Sequence, residues 1–131
     1  MTRNPRIEDV LGPLASAIVR EVGARGEATV TDIVAALRGS QSRDHAYTTI
    51  MTVMSRLAER GVLTRERRGR QFAYRTTAPE RELIDELSGR AVDKLVDRFG
   101  SAALRHFAAH LSELDPETRA RLESLADGSD D

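Results

Sequence analysis

The sequence predicts a mainly α-helical protein with one small β-hairpin, and three observations carry that expectation. Apolar residues recur at helical spacing in three successive stretches before Arg60. The period then changes to two around Arg68-Gly69, and from Pro79 onward the helical period returns. A chain of 131 residues can hold one domain with a real core, or a small domain and an appendage, which excludes a large multi-domain enzyme.

In the first stretch Leu11, Leu14, Ala15, Ile18 and Val22 line one helical face, with Pro13 suited to the first turn and Gly26 to the exit. In the second, "TVTDIVAALRG", Thr29 and Asp32 have the spacing of a capping box. Val30, Ile33, Val34 and Leu37 share a side, and Gly39 ends the element. The third, "AYTTIMTVMSRL", runs to about Arg60 before Gly61 and places Ile50, Val53, Met54 and Leu57 in one sector. Thr48, Thr49, Thr52, Ser55, Arg56 and Glu59 fall opposite. Threonine is a middling helix former, so propensity does not explain three of them so close together.

"VLTRERRGRQFAYRTT" follows, with Leu63, Phe72 and Tyr74 alternating about a turn centred on Arg68-Gly69; a three-residue loop with a bulge fits equally well. Beyond Pro79 a long helix carries Ile84, Leu87, Ala91, Leu95 and Phe99 on one stripe. Gly100 and Ser101 break it, a further helix presents Leu104, Phe107, Ala108 and Leu111, and Asp115-Pro116 opens a last one. The "DGSDD" end is expected to fray. The expected division is therefore 1–78, three helices and the hairpin; 79–126, a helical region; and 127–131, a disordered tail.

Helix, helix, helix, hairpin is the order of a winged helix-turn-helix domain. Charge agrees. Net charge is −1 overall, but residues 43–75 carry eight Arg against three acids, a net +5, while residues 76–131 carry a net −6. Only the middle of the chain suits a polyanion. In such a domain the helix before the hairpin enters the major groove. There a threonine offers a donor, two acceptors and a methyl without holding the backbone away. Thr48, Thr49 and Thr52 are the expected base contacts, and Arg56 can reach a base or a phosphate. Tyr47 either meets a phosphate or packs at the edge of the core. Arg65, Arg67, Arg68, Arg70 and Arg75 flank the hairpin turn, where a sugar-phosphate chain could lie. A single exposed Thr or Arg is an ordinary surface residue; the expectation rests on their coincidence.

These residues also resemble a known family. "AYTTIMTVMSRLAERGVLTRERRGRQFAYR", preceded by "LGPLASAIV" and "GEATVTDIVAAL", resembles the penicillinase-repressor family of bacterial transcription regulators over roughly residues 10–112. The resemblance implies a homodimer that represses transcription from a palindromic operator. It places recognition-helix contacts on Thr48, Thr49, Met51, Thr52 and Arg56, and wing contacts near Arg68 and Arg70. It assigns dimerisation to the helices after Pro79, which independently show more apolar face than one small domain can cover.

Two departures stand out. Some family members are released from DNA through cleavage of an Asn-Phe bond, which would make a membrane sensor protease a partner; the matching pair here is His106-Phe107. The cysteine-rich tail of copper-responsive members is absent, since the chain has no cysteine, and disulfides and thiolate metal sites are excluded with it. His106, His110 and Glu113 share a helix face at metal-ligand spacing, a weak signal more often met as plain helix surface. No nucleophile elbow, phosphate-cradling glycine loop or HExxH sequence is present, so neither enzyme activity nor a cofactor is expected. The N-terminus lacks the apolar core of a secretory signal and no run approaches the roughly 18 apolar residues of a membrane span, so a cytoplasmic location is expected. Two other readings stay open: a winged helix that docks an acidic protein, and a regulator that releases DNA on binding a ligand or metal.

Overall fold

The computed structural model describes residues 5–38 and 45–126. Gly39, expected to end the second helix, and the 127–131 tail lie outside the described residues. Among the described residues seven helices and a two-stranded antiparallel sheet follow in the order α1 (Ile7–Leu11), α2 (Pro13–Arg25), α3 (Val30–Arg38), α4 (Tyr47–Glu59), β1 (Leu63–Arg68), β2 (Gln71–Thr76), α5 (Glu80–Phe99), α6 (Ser101–Ser112) and α7 (Pro116–Ala126).

Leu11, expected in the first long helix, instead closes the short α1. Gly12 sits at φ 84° and precedes Pro13, and a residue before proline is pushed out of the helical region. The chain therefore restarts at Pro13, whose missing N–H costs nothing in a first turn. Arg20 ties the two helices together, its guanidinium meeting both oxygens of Glu8 at 2.6 and 2.8 Å. The start of α3 is the expected reciprocal cap: the Asp32 N–H donates to Thr29 Oγ1 at 3.1 Å, and the Thr29 N–H donates to Asp32 Oδ2 at 3.0 Å.

One buried cluster joins α1 to α4, the hairpin and the first part of α5. Ile18 and Val22 of α2, Ile33 of α3, and Ile50, Met54 and Leu57 of α4 are all essentially inaccessible. Tyr74 of β2 is buried with them. Its main chain exchanges two hydrogen bonds with Ala28, N–H to carbonyl in each direction at 2.8 and 3.0 Å, so the α2–α3 connection forms a third, single-residue rung beside the hairpin.

Strand register runs from Leu63 opposite Thr76 to Arg68 opposite Gln71, which leaves Gly69 and Arg70 as the two loop residues. The turn is thus centred one residue later than the expected Arg68-Gly69. Gly69 has φ 66° and Arg70 does not have a positive φ, the pattern of a two-residue II′-type hairpin with glycine first. At the other end, Thr77 Oγ1 donates to the Gly61 and Val62 carbonyls at 2.8 and 3.0 Å, closing the base of the hairpin.

The chain divides into two compact units, one ending at Gly89 and the other beginning at Arg90. The difference from the expected boundary after residue 78 has a simple cause. Leu83 and Leu87 are 2% and 4% exposed within the first unit's core, and Ile84 packs against it, so the opening turns of α5 are part of that core. Of the expected dimerisation stripe, Leu87 is buried and Ile84 half-buried within their own chain.

Replacing Thr29 by Ala should cost about 1 kcal/mol through loss of the α3 cap, measured by urea denaturation. The Asp32 carboxyl is held below its ordinary range, first by the Thr29 backbone N–H, so its contribution is present at neutral pH and lost as pH falls through that lowered value. The stability difference between wild type and Asp32→Asn should accordingly shrink in acid. Leu57→Ala should be far costlier, about 2–5 kcal/mol, because it empties the centre of the core.

Candidate nucleic-acid interface

Helix α4 is anchored by Ile50, Met54 and Leu57, which are spaced by four and three residues and so point one way. Burying that stripe forces the opposite side outward. Thr48, Thr49, Thr52 and Arg56 are exposed, with Tyr47 and Met51 at 46% and 40%. Tyr47 is thus exposed at the start of the helix. His45, just ahead of the helix, is half-buried beside Val34, Leu37, Arg38 and Ile50.

The hairpin lies alongside this helix. Arg65 of β1 reaches Ser55 Oγ of α4 and the Tyr74 hydroxyl, both at 3.4 Å, and its guanidinium stacks over the Phe72 ring at 4.4 Å. Arg67 approaches the same ring at 5.7 Å and donates through Nε to the Gly69 carbonyl at 3.3 Å. Phe72 in turn meets Tyr74 edge to face at 6.3 Å. The arginines of this face thus rest on an aromatic platform, and Arg65 is a strut between hairpin and helix as well as a surface cation.

Strand alternation sends Arg68 and Arg75 to the other face. Both converge there on Glu27, from the α2–α3 connection. Arg75 donates through Nε and Nη2 to Glu27 Oε1 at 3.0 and 2.8 Å, while Arg68 Nη1 pairs with Oε2. The Glu27 carboxyl is held below its ordinary range by Arg75 first and by Arg68 in addition. Arg68, an expected phosphate contact, is ion-paired within the chain in this structure, to Glu27 and, at 3.9 Å, to Glu66. The side chains of Arg56 and Arg70 have no ion-pair or hydrogen-bond partner among the described residues.

Glu27 is the residue that sequence reasoning missed. It lies 41 residues from Arg68 and 48 from Arg75, and no local pattern links them. The metal candidates fare differently: among the described residues no grouping of three His, Cys, Asp or Glu could hold a metal ion, and His106, His110 and Glu113 are not gathered into one. All three are simply exposed on the surface.

In the second unit α6 buries none of its residues, and Val92, Leu95, Phe99, Leu104, Phe107 and Leu111 are between 44% and 57% exposed. Ala91 is exposed as well. His106 and Phe107 both lie inside α6, in regular helix.

A polar-faced helix set against a cationic hairpin on a compact helical core is how winged helix-turn-helix transcriptional regulators are built, and this chain is one of them. Its family is equally definite: the chain belongs to the penicillinase repressor family, whose model matches residues 11–128. It is 36% identical to the transcriptional regulator BlaI of Mycobacterium tuberculosis over 120 residues, covering 86% of this chain and 83% of that protein, in strains CDC 1551 / Oshkosh and ATCC 25618 / H37Rv alike. An uncharacterized 16.5 kDa protein from the ptsI 3′ region of Latilactobacillus sakei is 34% identical over 68 residues, 52% of this chain and 45% of that one. Among solved structures, NadR in complex with 4-hydroxyphenylacetate aligns with a TM-score of 0.47 at 15% identity, over 83% of this chain and 80% of that chain. The protein is a DNA-binding transcriptional repressor, a non-enzymatic role. Among the described residues no helix is long and apolar enough to cross a membrane.

If Arg65 is a strut, Arg65→Ala should loosen the hairpin even without DNA: hydrogen exchange at the β1–β2 amides should speed up, whereas Arg70→Ala should leave it unchanged. Equal exchange in both variants would make Arg65 a surface cation only.

Proposed function

We propose that the protein acts as a homodimer on a palindromic operator, with α4 of each copy in the major groove and the β1–β2 turn on the adjoining backbone. The observation that carries this reading is the junction between Arg65 and Ser55, which holds the exposed threonine face of α4 beside the arginine-rich hairpin. One duplex can then meet both surfaces. Thr48, Thr49, Met51 and Thr52 read base edges, with Arg56 at the far end of the same face. Tyr47, Arg67 and Arg70 hold phosphates and set register without reading sequence.

Dimerisation through the second unit is supported by its exposed apolar side chains. Each Leu, Val or Phe removed from water contributes about 1.5–3 kcal/mol, so Leu95, Phe99, Leu104, Phe107 and Leu111 together favour a covered state. Two copies would then present their α4 helices to successive grooves, about 34–36 Å apart or a multiple of that. The family's description as a penicillinase repressor supports a beta-lactam resistance gene as target. Release by a membrane sensor protease at His106-Phe107 has less support, because that bond sits within α6 and proteolysis favours exposed loops.

A gel shift with the promoter DNA beside its own gene tests the central reading, and absence of any shifted band at low salt would overturn it in favour of a protein-docking role for the basic hairpin. Arg67→Ala with Arg70→Ala should weaken binding to all sequences alike and flatten the dependence of log K on log salt by about 0.9 per lost phosphate contact. Thr48→Ala or Thr52→Ala should instead shift preference among operator variants while sparing non-specific binding. Leu95→Asp should convert the protein to a monomer by sedimentation and lower operator affinity with it.

A further inference from the structure

We infer that Glu27 is an internal stand-in for a DNA phosphate: its carboxylate occupies the guanidinium groups of Arg68 and Arg75 in the free protein and is exchanged for backbone phosphate when the hairpin meets a duplex. This rests on the DNA-binding reading above and adds a residue that limits how strongly the protein holds DNA of any sequence.

The geometry that places Glu27 is rigid on one side and open on the other. Its neighbour Ala28 is bonded twice to the Tyr74 main chain, which fixes the α2–α3 connection against β2 next to Arg75. Register puts Arg75 and Arg68 on one strand face with Ala73 between them. Ala73 is small and buried, so two long side chains can converge above it. Each takes one oxygen of the same carboxylate. A carboxylate and a phosphate present the same kind of paired oxygens to an arginine fork. The arrangement is solvent-accessible: the Glu27 side chain is 30% exposed and those of Arg68 and Arg75 are 49% and 59%. Exposed ion pairs of this sort contribute little to stability, so a polyanion can displace the carboxylate without unfolding anything.

The electrostatic consequence has a definite sign. With Glu27 in place, Arg68, Arg75, Glu27 and Glu66, whose carboxylate lies 3.9 Å from Arg68, carry a net 0 in place of the +1 they would carry without Glu27, and a displaced carboxylate left near a phosphate repels it. Both effects act on every sequence equally, because phosphate contacts carry no base information. Glu27 therefore lowers non-specific affinity, and the threonine face of α4 decides a larger share of where the protein binds.

The test is Glu27→Gln, compared with wild type on an operator duplex and on a scrambled duplex of equal length across a salt series, with circular dichroism confirming the fold. Wild-type binding reports on the DNA-binding reading itself; the ratio of variant to wild type reports on Glu27. The expected result is several-fold tighter binding to the scrambled duplex at low salt and a slope of log K against log salt steeper by about 0.9 for each phosphate gained. Adding Arg68→Ala and Arg75→Ala to Glu27→Gln should abolish the gain. Unchanged affinity and slope, weaker binding to both duplexes, or a gain that survives loss of both arginines would each overturn the inference. Should Glu27→Gln fail to fold, the Nε–Hε resonances of Arg68 and Arg75 in the wild-type protein decide the matter: they should shift when duplex is added, and resonances that stay in place would refute the exchange.

Discussion

Burial of one narrow stripe on α4 governs most of what this protein presents to its surroundings. Ile50, Met54 and Leu57 are sealed against α2, α3 and the hairpin, and a helix held by one side cannot rotate without exposing them. Thr48, Thr49 and Thr52 face outward for that reason. The same core contains Leu63 and Tyr74, so the base of the hairpin is held by the burial that orients the helix. Reading head and basic hairpin are positioned by a single apolar cluster.

The hairpin divides its cations between two faces. On one, Arg65 and Arg67 lie over Phe72, and Arg65 connects to the helix. On the other, Arg68 and Arg75 share Glu27. Arg70, in the turn itself, is outside both arrangements. Five arginines around one turn are therefore not five equivalent contacts. Some hold the hairpin's angle, some are partly neutralised, and one stands at the tip. Charge at this surface is set as much by what is paired as by what is present.

Leu83 and Leu87 complete the core of the first unit, whereas Leu95 and Phe99, further along the same α5, are about half exposed. The apolar stripe of this helix meets two different surroundings. Its first turns stabilise the DNA-binding fold, and the remainder, with α6, leaves apolar side chains exposed.

The element types, the capping box of Thr29 and Asp32, the exposed side of α4 and the family itself were all legible in the sequence. Each depends on residues a few positions apart, where helical or strand periodicity fixes which side chains share a face. The break at Gly12 lay within the same short reach, since glycine before proline disfavours a continuous helix, yet the apolar spacing of Leu11 with Leu14 masked it. What only the tertiary structure decided are the relations between elements: Glu27 meeting Arg68 and Arg75, Arg65 meeting Ser55, and Leu87 sinking into a core whose members begin at Ile7. Periodicity says which way a side chain points from its own element. It carries no information about which other element will be there to meet it, and that is settled by how the apolar faces pack together.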